Sequence, residues 1–328
     1  MTAIRANNIA LGELTTIGVG GVPAELIVAK TRDELIESAR EVWATGEDWF
    51  LLGGGSNVVI ADSPSELHVI KVENKGIERL GQGHLRVQAG ENWDDFVAHC
   101  VEHGLGGVES LSGIPGTVGA APVQNIGAYG QEIAEVFVRL EFLDYASGDL
   151  QILEKADLEF GYRDSILKHG KLGVITWVEF QLLADLPAGS TELMKRRRIE
   201  VLEQRASKGM VLNENDRDTH SCGSFFTNPI VSASFARSLP QDAPAWPMDE
   251  DAERVKLSAA WLIEQSGVRK GLQLGSSNAG ISTKHALAIT NRGGATAKEI
   301  AELARFVQER VAATFGINLI PEPSFIAF

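Results

Sequence analysis

The chain has little cysteine, little tyrosine and fewer cations than anions. Two cysteines, Cys100 and Cys222, and three tyrosines, Tyr129, Tyr145 and Tyr162, occur in 328 residues. At most one disulfide can form, which excludes a disulfide-stapled secreted fold. Lys and Arg number 30 against 44 Asp and Glu, a formal charge of −14. So acidic a chain is a poor general binder of phosphate backbones, and neither nucleic acid nor membrane insertion is expected. A local basic pocket for one anionic metabolite is not excluded. No apolar run approaches the ~20 residues of a membrane span. Residues 1–11, with Arg5, Asn7 and Asn8, lack the apolar stretch of a signal peptide, so a reducing cytoplasm is the expected compartment. There is no internal repeat and no low-complexity tract. Hydrophobic residues at 44% and charged residues at 23% match folded soluble proteins and exclude disordered, collagen-like and coiled-coil classes. What is abundant is glycine, 34 residues against a usual share of ~7%. With no strict period, these glycines serve turns or close backbone approaches.

Periodicity alternates strand and helix signals in the first third. Residues 26–29, 49–52, 58–61, 68–72 and 85–89 read as short strands. Thr31 and Glu34 read as a capping box opening a helix with Leu35, Ala39, Val42 and Trp43 on one face. Asn92 caps a second helix with Trp93, Phe96, Val97, Cys100 and Val101 as its apolar stripe. Residues 136–145 and 150–153, around Ser147-Gly148-Asp149, read as a hairpin, and 174–183 as a further strand. Composition changes over 184–190, marking a domain boundary there or just after the next helix. That helix, over 191–207, carries Lys195, Arg196, Arg197 and Arg198, read as a solvated face. The last third predicts a helix over 257–266 closed by Gly267. Thr296 and Glu299 then box a helix with Ile300, Leu303, Val307 and Val311 inward, closed by Gly316. A final strand over 317–320 is expected before Pro321-Glu322-Pro323. The fold class is α+β.

Two glycine clusters carry the first functional signal. Gly53-Gly54-Gly55-Ser56-Asn57 follows a buried strand. Ser112-Gly113-Ile114-Pro115-Gly116-Thr117-Val118-Gly119 is followed by Gln124-Asn125-Ile126-Gly127-Ala128-Tyr129-Gly130. Without a Cβ in the way, backbone N–H groups can converge on an oxygen-rich anion. Neither cluster fits the dinucleotide fingerprint, and neither ends in Gly-Lys-Ser/Thr as a P-loop does. Two long clusters with interleaved hydroxyl and amide groups suit an extended pyrophosphate ligand better than a terminal phosphate.

These stretches, with Thr15-Thr16-Ile17-Gly18-Val19-Gly20-Gly21, resemble the flavin-binding half of the UDP-N-acetylenolpyruvoylglucosamine reductase family. Gly161-Tyr162-Arg163-Asp164-Ser165 is similar to that family's arginine motif. Gly223-Ser224-Phe225-Phe226-Thr227-Asn228-Pro229 is similar to its serine motif, and Pro321-Glu322 to its C-terminal glutamate motif. The motifs run in order over nearly the whole chain. The resemblance implies a vanillyl-alcohol-oxidase-type fold, with two α/β FAD-binding subdomains over 1–72 and 73–207 and an α+β substrate domain over 208–316. Residues 317–328 would return to the first subdomain. It implies non-covalent FAD held by Gly53, Gly54, Gly55, Ser56, Asn57, Ser112, Gly113, Ile114, Pro115, Gly116, Thr117, Gly119, Asn125, Gly127, Ala128, Tyr129 and Gly130. NADPH is the implied reductant and a UDP-sugar of cell-wall synthesis the implied substrate. No metal ligand set is assigned, and a monomer is expected.

The implied reaction adds hydride to the vinyl carbon of an enolpyruvyl ether, leaving negative charge on the neighbouring carbon and carboxylate. It needs enolate stabilisation and a placed proton donor. The resemblance puts Arg163 and Glu322 in the first role and Ser224 in the second. Arg holds a carboxylate bidentately and never loses its charge. Glu322 helps only if it holds a proton where an exposed carboxylate would not, and a serine donates only to a strongly basic neighbour. Tyr162, Lys208, Asn228, Lys256 and His285 are the implied substrate contacts, Lys256 at a helix start. Cys222 reads as an incidental small residue. One common form of the family closes a tyrosine-bearing loop over the substrate after the strand at 174–183, but no tyrosine follows Tyr162 here. Lys195 to Arg198 are expected to replace that lid in part. The competing readings are another oxidase or dehydrogenase of the same fold and a non-catalytic nucleotide-binding module.

Overall fold

The structure, a computed structural model, describes residues 3–6, 8–249 and 251–328. The sequence readings that include Met1 and Asn7 extend to residues outside that description. The chain divides into two compact units. The first comprises residues 1–10, 22–55 and 64–211, and the second residues 11–21, 56–63 and 212–328.

The first unit holds two sheets. The smaller runs Ile4–Ala6, Glu25–Ala29, His68–Val72, Trp49–Leu52, with the last three strands parallel. Parallel pairing needs a crossover, supplied by the helix Arg32–Thr45. Thr31 caps that helix by accepting the Glu34 N–H, but the Glu34 carboxylate reaches the N–H of Lys30 rather than Thr31. The expected box is therefore half formed. The larger sheet is antiparallel, in the order Leu150–Glu154, Phe137–Asp144, Gly173–Gln181, His84–Gln88, Ile77–Arg79. Its central strand is buried over nearly its full length. Ile27, Ile70 and Val72 of the smaller sheet share one core with Val87, Leu140 and Val178 of the larger. Trp93, Phe96 and Cys100 of the helix Trp93–Glu102 complete that core, which explains their spacing.

In the second unit, Val58–Ile60 pairs in parallel with Ser324–Ile326. A three-stranded sheet is ordered Ile230–Ser232, Arg254–Leu257, Ala245–Pro247, and a ribbon joins Ala279–Ile281 to Ile289–Asn291. The helix Ala297–Phe315 buries Ile300, Leu303, Val307 and Val311 behind a complete Thr296–Glu299 capping box, and Gly316 ends it at φ 69°. The expected strand over 317–320 is irregular instead. Pro321 has no N–H for a ladder, and the final strand forms beyond it at Ser324–Ile326. No helix among the described residues is long and apolar enough to cross a membrane. No group of three or more His, Cys, Asp or Glu among them is arranged to hold a metal.

Candidate active site

In the first unit, Gly53 follows Trp49–Leu52 at the carboxyl end of the parallel strands, the end at which α/β sheets bind ligands. A Cβ on Gly54 would stand 2.6 Å from the Gly116 Cα, and one on Gly53 would stand 2.7 Å from the Thr117 Oγ1. The two glycine clusters thus approach too closely for side chains. Beside them lies a cavity of about 150 Å³, lined by Leu51, Gly53, Val72, Thr117, Gly119 and Phe142 among others. Half-buried backbone free of side chains next to a largely apolar cavity fits FAD, whose pyrophosphate joins an adenosine to a flavin ring system. Lys71 Nζ donates to the Gly53 carbonyl, and burial lowers its pKa. Sequence reasoning missed Lys71 because a lysine inside a strand normally marks a solvent face.

The arginine motif is a tight turn closed by reciprocal backbone bonds between Gly161 and Asp164 (3.1 and 3.3 Å). Arg163 sits in it at φ 54°, and Tyr129 in the neighbouring loop at φ 50°. Left-handed non-glycine residues are costly and gather at functional sites. Their surroundings impose the conformation. Asn125 Nδ2 donates to the Gly161 carbonyl (3.0 Å), its Oδ1 accepts the Ala134 N–H (3.1 Å), and Ser165 Oγ donates to the Val123 carbonyl (2.7 Å). Arg163 Nη2 donates to the Gly127 carbonyl at 2.5 Å, and a Cβ on Gly127 would come within 3.2 Å of its Nη1. The Arg163 guanidinium lies 5.5 Å from the Tyr162 ring centroid. The Ser112 hydroxyl donates to the Glu109 carbonyl (2.7 Å).

The basic run on the helix Ser190–Ser207 divides. Lys195 pairs with Glu192 on the exposed side, and Arg196 is exposed too. Arg197 Nε instead donates to Ser110 Oγ (3.0 Å) and Nη2 to the Tyr129 carbonyl (3.4 Å). Arg198 grips Asp94 with two bonds (2.5 and 2.8 Å), while Asp94 Oδ1 also accepts the Gly113 N–H (2.6 Å). Burial pushes the Asp94 pKa up, but these bonds outweigh it and hold the carboxyl below its ordinary range. The solvated-face expectation is therefore corrected for Arg197 and Arg198. The inward stripe of this helix alternates buried Met194 and Val201 with arginines, so hydrophobic periodicity could not reveal it.

In the second unit, Gly223 turns the chain at φ 71° and presents Ser224 half-buried, its hydroxyl without a hydrogen-bond partner among the described residues. The next residues, Phe225 and Phe226, are anchored in the core. Phe225 N–H donates to the Leu287 carbonyl (2.8 Å), and the Phe225 carbonyl accepts the Glu322 N–H (2.9 Å). The Thr227 N–H donates to the Ile320 carbonyl (3.0 Å), so the serine and glutamate motifs form one short ladder. Asn57 Nδ2 donates to the Glu322 carbonyl (3.3 Å). The Cys222 thiol donates to the Val58 carbonyl, and burial pushes its pKa up to about 12, which suits no nucleophile.

Of the expected substrate contacts, Asn228, Lys256 and His285 belong to the second unit and Tyr162 and Lys208 to the first. Asn228 Oδ1 accepts the Ala259 N–H (2.9 Å) at the start of the helix Ala259–Gln265. Lys256 lies on the strand Arg254–Leu257, not at a helix start, because Ser258 caps that helix. His285 is half-buried in a turn where Ser282 Oγ accepts the N–H groups of Lys284 and His285 (3.0 and 3.3 Å). Lys208 is exposed at the end of Ser190–Ser207, in the first unit.

The glycine cradle and its cavity define an FAD-dependent oxidoreductase, and residues 23–154 match the family model described as an FAD binding domain. Residues 215–326 match the model for the UDP-N-acetylenolpyruvoylglucosamine reductase C-terminal domain. The chain belongs to the UDP-N-acetylenolpyruvoylglucosamine reductase family. It is 47% identical to that reductase from Leifsonia xyli subsp. xyli, over 97% of this chain and 98% of the relative. It is 44% identical to the one from Thermobifida fusca, over 99% of each. The crystal structure of UDP-N-acetylenolpyruvylglucosamine reductase from Thermus caldophilus matches with a TM-score of 0.72 at 30% identity, covering 99% of each chain.

Proposed function

We propose that this chain reduces UDP-N-acetylglucosamine enolpyruvate to UDP-N-acetylmuramate, with FAD held non-covalently in the glycine cradle and NADPH as the reductant. The place of this reaction is cytoplasmic peptidoglycan precursor synthesis, carried out by a monomer with no nucleic-acid partner. FAD, when bound, supplies the hydride that reaches the vinyl carbon. The chain's own residues handle charge and proton. Arg163 stabilises the negative charge that develops on the substrate carboxylate and adjacent carbon. Ser224 Oγ gives its proton to that carbon, and Glu322 completes the stabilisation. The glycine clusters from Gly53 and from Ser112, with the loop 125–130, hold the cofactor, while Tyr162, Lys208, Asn228, Lys256 and His285 contact the substrate. Residues 1–72 and 73–207 serve as the cofactor subdomains, 208–316 as the substrate domain.

The observation that carries this reading is the Ser224 hydroxyl. Among the described residues it has no hydrogen-bond partner, and the carbonyl of Phe225, which follows it, accepts the Glu322 N–H. Ser224→Ala tests it. Reduction of bound flavin by NADPH should stay near wild type, while reoxidation by the enolpyruvyl substrate falls by about 10²-fold or more, the range of a lost general acid. Equal losses in both half-reactions would make Ser224 structural.

A further inference from the structure

Arg205 lies on the inward stripe of the helix Ser190–Ser207, and no motif assigns it a role. Its Nε is buried and has no hydrogen-bond partner among the described residues. Among the described residues its hydrogen bond runs from Nη2 to the Met210 carbonyl (3.2 Å). A Cβ on Gly113 would stand 3.3 Å from that Nε, so the unbonded N–H lies against the second glycine cluster. No carboxylate among the described residues pairs with it. Asp94 is near, but both its oxygens are taken by Arg198 and one by the Gly113 N–H as well. The Tyr129 ring and the Arg163 guanidinium are its other charged or titratable neighbours, and Arg163 adds like charge. Burial and that repulsion both weaken its hold on its proton. A buried guanidinium N–H with its bond unmade is costly unless an acceptor completes it.

We propose that Arg205 is an oxyanion ligand of the active site, taking a phosphate or carboxylate oxygen beside the second glycine cluster as a second guanidinium next to Arg163. This rests on the flavin-dependent reading above. The oxygen belongs either to the FAD pyrophosphate or to the UDP-sugar, and both present the same chemistry.

Arg205→Met and Arg205→Lys separate the two sources. FAD is titrated into the flavin-free protein by fluorescence, and UDP-N-acetylmuramate into the FAD-loaded protein by flavin absorbance. Either variant should weaken one of the two by at least about tenfold, the loss of one charge-assisted bond. Lysine should not rescue, because it lacks the Nε–H and the planar fork. Loss in the FAD titration assigns the cofactor, and loss in the nucleotide titration assigns the substrate. Ligand-free Arg205→Met should melt close to wild type, since the desolvation of the unbonded Nε–H offsets what the Met210 bond contributes. Should Arg205→Met fail to fold, Arg205→Lys carries the same test. Both affinities staying within about twofold of wild type overturn the assignment. A wild-type protein that binds neither ligand instead sinks the functional reading, and the Arg205 role with it.

Discussion

Glu322 donates its backbone N–H to the carbonyl of Phe225 at 2.9 Å, which places the glutamate across a ladder from the residue that follows Ser224. The ladder is short, and it is anchored by side chains rather than by length. Phe225 and Phe226 are almost fully buried, and their rings meet edge to face at 5.3 Å. The position of Ser224 is thus determined by core packing immediately beside it.

Phe226→Ala should therefore cost about 3–5 kcal/mol, the usual range for deleting a buried aromatic ring. Urea unfolding of the ligand-free protein measures it. A loss below about 1 kcal/mol would mean that the phenylalanines do not anchor the ladder.

Gly54→Ala and Gly46→Ala distinguish close approach from turn geometry. The first puts a Cβ 2.6 Å from the Gly116 Cα, whereas Gly46 at φ 73° has nothing within 4 Å of such a Cβ. Gly54→Ala should purify without flavin. Gly46→Ala should keep a full flavin complement and lose about 1 kcal/mol of stability for its left-handed φ. The flavin-to-protein absorbance ratio reads the first effect and thermal melting the second. Full flavin in Gly54→Ala would remove the cradle from the argument.

Glu179 provides a pH test. It is fully buried and bonded to Arg86 (2.8 Å), Arg139 (2.9 Å) and His84 (2.9 Å). Burial raises its pKa, but bonds from Arg139, Arg86 and His84 prevail and lower it below the carboxylate value of 4.5. A depressed carboxylate contributes stability above the unfolded pKa and loses it as pH falls through the folded one. Wild-type stability should thus decline below about pH 4.5, and Glu179→Gln should flatten that decline while lowering stability at pH 7 by about 2 kcal/mol. That is less than a fully buried pair loses, because the arginines are partly exposed. Identical acid limbs in the two proteins would count against Glu179.

The two sides of the helix Ser190–Ser207 should behave differently. Arg198→Ala leaves Asp94 half-buried without its partner and should cost about 2 kcal/mol. Lys195→Ala with Arg196→Ala should change stability by less than about 0.5 kcal/mol and leave the substrate KM within about twofold. A raised KM in that double variant would support the lid role expected of the exposed cations.

Local signals were readable in the sequence. The Thr296–Glu299 box, the Trp93 to Val101 stripe and Gly316 closing the last helix rest on neighbouring residues, and all three formed. Failures came where a distant partner decided. Glu34 is the local exception, its carboxylate accepting the N–H of Lys30, one residue before the expected Thr31. Arg197 and Arg198 turned inward because Ser110, Tyr129 and Asp94 offered acceptors that no helical periodicity encodes. Lys71 hid in a strand pattern for the same reason.

By itself the sequence determined the fold class, the two glycine clusters and the order of the arginine, serine and glutamate motifs. Those features depend on backbone freedom and on hydrophobic spacing within a few residues. Only the tertiary structure decided that Asn57 would hold the carbonyl of Glu322 across 265 positions, or that Arg205 would end with a buried, unbonded Nε. Such contacts depend on which acceptors meet in space, and a residue's own neighbours in the chain carry no record of that.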